Sequence, residues 1–255
     1  MIFDTHSHYD DEAFDEDREA LLCNMRTSGV ERIVNVGADI VSSRTALALA
    51  ERYDFMYCAL GVHPSETGSL TEADMDWIRE HANHKKVVAI GEFGLDYHWP
   101  EPDAATQKKW FYRQIELAKE VQLPIIIHSR EAAAETMAVL TETKAYECGG
   151  VIHCYSYSPE MAKEYVKMGF YIGIGGVVTF KNAKKLKKTV EELSLGDIVL
   201  ETDCPYLAPE PMRGKRNDSS LLVHVAEKIA QLKRVSVDEV IDVTTKNAQK
   251  LYHLT

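Results

Sequence analysis

The sequence predicts an α/β fold in which eight parallel strands, each followed by a helix, close into a (β/α)8 TIM barrel. Three observations carry this prediction. Short apolar runs alternate with amphipathic stretches along the whole chain. The runs number eight, which suits a ring of parallel strands with a packed interior. Runs far apart in sequence also end in side chains that bind metal well: His6 and His8 after the first, Glu92 after the fourth, His128 after the fifth, His153 after the sixth and Asp203 after the eighth. An open, doubly wound sheet would serve a ligand from two neighbouring strands at one switch point. Bringing five distant strand ends to one spot requires a closed ring, with the site at its C-terminal mouth.

In chain order, strands are expected near residues 2–6, 31–37, 56–61, 87–91, 124–128, 150–154, 170–174 and 197–201. Each is a short apolar run of strand length. Helices are expected over 16–28, 41–52, 104–121, 159–168, 181–193, 219–232 and 237–252, where apolar residues recur on a charged background, as do Trp110, Ile115 and Leu117. No Pro/Gly/Ser linker or low-complexity tract divides the chain, so residues 1–255 are expected to form a single domain. Barrels of this type run to about 250 residues as one unit.

No apolar run approaches the ~20 residues of a membrane span. The N-terminus lacks the basic and apolar regions of a signal peptide and carries His6 and His8 instead, so the natural start is expected to be present. The five cysteines, an odd number without a Cys-x-x-Cys pair, point to reduced thiols and a cytoplasmic location. Cys154 and Cys204 adjoin two of the candidate ligands and read as small buried residues, with a zinc role as the alternative. The net charge of −11 argues against a protein that coats nucleic acid non-specifically. A nucleic-acid substrate would be held by a local patch, by metals or as a chain end. No unpaired apolar stripe stands out, so a monomer is expected.

His6 and His8 lie two residues apart on a strand, and period two points them to one side. Glu92 has two carboxylate oxygens and can bridge two cations, which one imidazole cannot. Buried histidines and acids are costly unless paired or metal-bound. The set of four His and two acids suits two divalent ions. One ion is assigned to His6, His8, Glu92 and Asp203, the other to Glu92, His128 and His153. Such a pair, about 3.5–4 Å apart, can activate a hydroxide and clamp both the attacking and leaving oxygens. Glu92 and Asp203 are the catalytic candidates, Asp203 as acceptor of a proton from the attacking water. Glu201 shares a strand face with Asp203 and is expected one layer deeper, supporting the ligands.

These residues sit in motifs that resemble the TatD family of metal-dependent hydrolases. The motifs are Asp4-Thr5-His6-Ser7-His8, Gly61-Val62-His63-Pro64, Ala89 to Tyr97, Leu123 to Arg130, Val151 to Tyr155, Leu200 to Leu207 and Arg213-Gly214-Lys215-Arg216-Asn217. They follow the family order over nearly the whole chain. The resemblance implies a metal-dependent TIM barrel and a deoxyribonuclease-type phosphodiesterase, a 3′→5′ exonuclease on single-stranded DNA or RNA. It implies metal binding by His6, His8, Glu92, His128, His153 and Asp203, and places His63 near the substrate phosphate. D-aminoacyl-tRNA deacylation is reported among TatD-like proteins. Hydrolysis of such an ester or amide is therefore the alternative activity. The ligand set leaves Zn, Mg and Mn all open.

Further substrate-binding candidates are Arg130, Arg213, Lys215, Arg216 and Asn217. Arg130 is near enough to His128 to reach a phosphate, with a salt bridge as the alternative. The 213–216 cluster could hold phosphates at the barrel mouth or be an ordinary solvated loop. Asn217 is expected to brace that loop. The lysines at 181, 184, 185, 187 and 188 read as a solvated helix face. Tyr97, His98 and Trp99 follow Glu92, where aromatic rings could stack on bases or pack the loop. The chain departs from the family pattern at Ser65, where a second His is common, and at Asp218-Ser219, where Glu-Pro is usual.

Overall fold

The computed structural model describes residues 1–254. Its eight parallel strands lie side by side in chain order: β1 (Ile2–Ser7), β2 (Val30–Val36), β3 (Met56–Leu60), β4 (Val87–Asp96), β5 (Ile125–Arg130), β6 (Gly150–Ile152), β7 (Phe170–Ile174) and β8 (Ile198–Leu200). Around them run α1 (Arg18–Cys23), α2 (Ile40–Arg52), α3 (Glu72–His81), α4 (Ala104–Val121), α5 (Ala133–Glu142), α6 (Pro159–Lys167), α7 (Lys184–Glu192), α8 (Leu222–Lys233) and α9 (Val237–Leu251).

The strands sort their apolar residues to two sides. Ile33, Met56, Ile90, Ile125 and Ile198 pack outward with helix residues such as Leu47, Phe111 and Ile229. Phe3, Val34, Ala59, Val88, Ile126, Val151 and Val199 form a separate inner cluster with Ala248, Leu251 and Tyr252. The C-terminal end of α9 thus plugs one end of the barrel, and the Tyr252 hydroxyl donates to the Thr5 carbonyl at 2.9 Å. Only the opposite mouth is left for a site. Burying each Val, Leu, Ile or Phe of these clusters contributes about 1.5–3 kcal/mol before entropy is counted.

The ring closes between β1 and the segment just past β8, not through a regular ladder. Ser7 bridges Cys204, His8 N–H donates to Cys204 O at 2.8 Å, and Asp203 N–H donates to His6 O at 3.0 Å. Side chains complete the seam. Thr5 Oγ1 donates to Leu200 O at 2.9 Å, while the buried Asp4 carboxylate accepts from Thr202 N–H at 3.0 Å and Thr202 Oγ1 at 2.7 Å. The seam therefore ties His6 and Asp203 into one rigid corner.

The helices differ in detail from the sequence expectation. The first is six residues instead of thirteen, because the chain breaks into turns after Cys23. Helices α3 and α5 were not expected. In α3 only Met75 and Ile78 are buried, so its apolar signal is thin, and its start is fixed by a capping box between Thr71 and Asp74. Two buried glutamines on α4 do more than pack. Gln114 Oε1 accepts from Val62 N–H at 2.8 Å and its Nε2 donates to Val62 O at 3.0 Å. Gln107 pairs in the same two-way manner with the backbone of Asp96, at 2.8 and 2.9 Å. The spacing of seven residues puts both on one face of α4, where they fix the segments carrying His63 and Asp96.

Candidate metal centre

Two bulges aim ligands into the barrel mouth. Between the β4–β5 pairs Ile90↔Ile125 and Phe93↔Ile127, β4 holds one residue more than β5. Between the β1–β2 pairs Asp4↔Ile33 and Ser7↔Asn35, β1 likewise holds one more. An extra residue bends its strand and redirects the side chain, and here the redirected side chains include Glu92 and His6. Glycines make the first bulge possible. Gly91 has φ +142°, and a Cβ there would lie 2.7 Å from Ile126 O. Gly94 has φ +151°, and a Cβ there would run into the His128 carbonyl.

Glu92 is almost fully buried and splits its two oxygens between two donor sets. Oε2 lies 3.2 Å from His6 Nε2 and 3.9 Å from His8 Nε2. Oε1 lies 2.6 Å from His128 Nδ1, 3.5 Å from His153 Nε2 and 3.7 Å from His63 Nε2. On the first side, His6 Nε2 and His8 Nε2 are only 3.1 Å apart, and Asp203 Oδ1 lies 3.4 Å from His8 Nε2. His8 Nδ1 sits 2.8 Å from Val36 O. A carbonyl only accepts, so that nitrogen carries the proton and Nε2 faces the site with its lone pair once the ring is neutral.

The donor sets fit divalent metal ions. His6, His8 and Asp203 offer one ligand atom each within 4.8 Å of one another, and so do His63, Glu92 and His128. The first triplet falls within the first-ion assignment made from sequence. In the second, His63 stands where His153 was expected. His153 stacks on His6 at 3.6 Å between ring centroids and joins Cys154 and Asp203 in a third group. Its Nδ1 lies 3.3 Å from Glu201 Oε2, and both atoms are buried without a hydrogen bond. A metal on Nε2 would leave that Nδ1 as the proton-bearing nitrogen and turn it toward Glu201.

The electrostatics of the metal-free site are those of opposed charges packed closely. Burial pushes the Glu92 carboxyl up, but His153, His6 and His128 outweigh it and hold the group well below the usual carboxylate range. Burial lowers His153, yet Glu201 and Glu92 raise it to about 10. His8 rises to about 9, its burial overcome by Asp203 and Glu92. Burial and the neighbouring His128 push His63 down to about 3.

The site opens into a cavity of about 690 Å³ whose lining includes His8, His63, Glu92, His128, His153 and Asp203. Arg130 also lines it. Asp96, outside the six-ligand set expected from the sequence, is buried there with Oδ2 3.2 Å from His128 Nε2. Strand periodicity was the signal, since Glu92, Gly94 and Asp96 share a face of β4. Ser65 Oγ lies 2.7 Å from His63 Nδ1 and steadies that ring. Ser219 donates to Asp4 Oδ2 at 2.6 Å, joining the β1–β8 seam, and Asp218 accepts from Ser220 N–H at 2.8 Å as a cap. Asn217 is buried and donates to Thr202 O at 3.0 Å and Tyr206 O at 2.8 Å, bracing its loop.

The structure does not bring Arg213, Lys215 or Arg216 to the cavity lining. Arg216 makes two bonds to Asp17, at 2.7 and 2.6 Å, over the Phe14 ring. Arg213 lies 4.2 Å over Phe180, and Lys215 is exposed.

The family model described as TatD related DNase matches residues 3–253. This chain belongs to the TatD family. It is 48% identical over 254 residues to YabD of Bacillus subtilis, covering all of both chains, and that relative is named an uncharacterized metal-dependent hydrolase. It is 35% identical to YcfH of Escherichia coli, named in the same way, over all of this chain and 96% of the relative. Among solved structures, the TatD homolog YjjV of Escherichia coli superposes with a TM-score of 0.93 at 30% identity, covering 100% of this chain and 98% of that one. The chain is thus a TatD-family metal-dependent hydrolase on a nearly closed barrel of eight parallel β/α units.

Proposed function

We propose that this TatD-family hydrolase is a two-metal phosphodiesterase of deoxyribonuclease type, working 3′→5′ on single-stranded DNA or RNA. The observation that carries the reading is Glu92, whose two oxygens face separate histidine sets. Two divalent ions (Zn, Mg or Mn) held there would activate water and neutralise phosphate charge. His6, His8 and Asp203 would hold one, with Glu92 shared. His128, His153 and His63 surround the other oxygen of Glu92. Asp203 is exposed enough to meet an attacking water and take its proton. Arg130, at the end of β5, lines the cavity and would hold a non-bridging phosphate oxygen. The family description as a DNase supports the bond class. No helix among the described residues is long and apolar enough to cross a membrane. The unpaired cysteines favour the cytoplasm, and the working unit is proposed to be a monomer.

A second reading is hydrolysis of an ester such as D-aminoacyl-tRNA. Asp10 and Asp11 line the cavity and would meet an α-ammonium group.

A 5′-labelled single-stranded oligonucleotide, incubated with protein in Mg, in Mn and in EDTA beside His128→Ala, tests the first reading. A descending ladder that needs both metal and His128 is expected. Intact oligonucleotide in every lane would overturn it, and D-Tyr-tRNA deacylation lost in Glu92→Ala would then establish the second.

A further inference from the structure

The cavity carries two aromatic rings that the metal chemistry does not use. Trp99 and Tyr206 both line it, yet they are 57% and 55% exposed, so each presents an open face to whatever enters. Trp99 follows β4 and Tyr206 follows β8, and strands four places apart in a ring of eight lie across from each other. The two rings therefore stand on opposite sides of the mouth, with the ligand side chains between them.

Tyr206 is tied directly to an acid of the site, and Trp99 only through its neighbour His98. The amide of His98 donates to Asp96 Oδ1 at 2.9 Å, and its imidazole packs edge-on against Trp99 at 4.8 Å. Tyr206 N–H donates to Asp203 O at 2.9 Å, and its hydroxyl donates to Asp11 Oδ2 at 2.8 Å. An exposed aromatic face beside a binding cavity offers a stacking platform to a planar group.

Charge decides what covers them. The described cavity lining holds five carboxylates, Asp10, Asp11, Glu92, Asp96 and Asp203, against one Arg or Lys side chain, Arg130. Three of the carboxylates belong to the metal centre or touch it. Asp10 and Asp11 remain to repel any phosphate away from the centre. The cavity suits one phosphate, with recognition on either side of it by uncharged planar groups.

We infer that Trp99 and Tyr206 are substrate-binding residues that stack on the two nucleobases flanking the scissile phosphodiester. The inference rests on the phosphodiesterase reading and specifies its substrate unit. The unit is two unpaired nucleotides joined by one phosphate, since paired bases in a duplex do not offer free faces.

Steady-state kinetics on an oligonucleotide and on analogues lacking the base on one side of the scissile phosphate test this. Trp99→Ala and Tyr206→Ala are each expected to raise KM about tenfold, within the range for a lost base–aromatic stack, with kcat little changed. Each penalty should vanish on the analogue that lacks its own base. Trp99→Phe and Tyr206→Phe keep a stacking face and should stay near wild type. Equal penalties on intact and abasic substrates, or no penalty, would overturn the inference while leaving the nuclease reading standing. Quenching of Trp99 emission by a dinucleotide, read against Trp99→Phe, separates the reverse case. Base-dependent quenching without cleavage would sink the nuclease reading and reduce the inference to base binding by these rings, and neither quenching nor cleavage would sink both.

Discussion

Glu92 Oε1 lies 2.6 Å from His128 Nδ1, although the two residues come from neighbouring strands whose register shifts between Ile90 and Phe93. That contact exists because the bulge at Gly91-Glu92 turns the carboxylate into the barrel mouth. The same carboxylate reaches His6 with its other oxygen. One side chain thereby joins the donors of β1 to those of β5.

Gly94 permits the close approach of β4 to β5. Replacing it with Ala would place a Cβ inside the His128 carbonyl at a φ that L residues rarely adopt. Gly94→Ala is expected to cost about 2–4 kcal/mol of stability, through backbone strain and overpacking. Urea denaturation would measure this, and metal affinity should fall with it because His128 must move.

Gln114 satisfies both backbone groups of Val62 in a buried setting. Gln114→Leu keeps the volume and leaves the two groups unpaired. A loss of roughly 2–4 kcal/mol is expected, from two uncompensated buried polar groups. Thermal unfolding reads that loss. The Gln114→Glu variant, which retains one acceptor, should lose less at low pH, where its carboxyl can also donate.

Arg130 lines the cavity, while Arg216 is engaged by Asp17 outside it. Arg130→Ala is therefore expected to raise KM for an oligonucleotide by about tenfold, the size of a lost charge-assisted bond to phosphate. Arg216→Ala should change KM less than Arg130→Ala. The opposite ranking in steady-state kinetics would move phosphate recognition to the 213–216 loop.

Metal binding should depend on pH in one direction. In the metal-free protein His8 and His153 are raised to about 9 and about 10. Both are then protonated at neutral pH, so an incoming metal must displace their protons. Affinity is expected to rise with pH up to those values, with protons released on binding. Their favourable contribution to metal-free stability has the opposite course, being complete below about 6.5 and lost as pH climbs through about 9 and 10. Calorimetry in buffers of different ionisation enthalpy measures the proton release. A pH-independent affinity between 6 and 9 would contradict this charge state.

Much of the fold was legible because each strand is a short apolar run, and because dispersed metal-binding side chains at the run ends imply a closed ring. The bulges were not legible, since one extra residue leaves no mark on an apolar pattern. Gly91 and Gly94 were the available trace. Helix α3 leaves little mark in the sequence because it buries few apolar residues, although Thr71 and Asp74 spell out its cap. His63 was placed near a phosphate by resemblance, whereas its 3.7 Å approach to Glu92 depends on how α4 pins Val62, a contact far away in sequence. For the basic loop after β8 the sequence left phosphate binding and an ordinary solvated loop both open. Asp17, which engages Arg216, lies near the other end of the chain, where no local pattern reveals it.

A carboxylate shared between two metal sites, as Glu92 would be, sets how many ions the protein binds. Wild type, stripped and titrated with Zn or Mn, is expected to bind two equivalents. Glu92→Gln keeps the size of the side chain and loses its charge, and should bind one equivalent or none while remaining folded. Two equivalents bound as tightly by Glu92→Gln, or no more than one by wild type, would contradict the shared-carboxylate site.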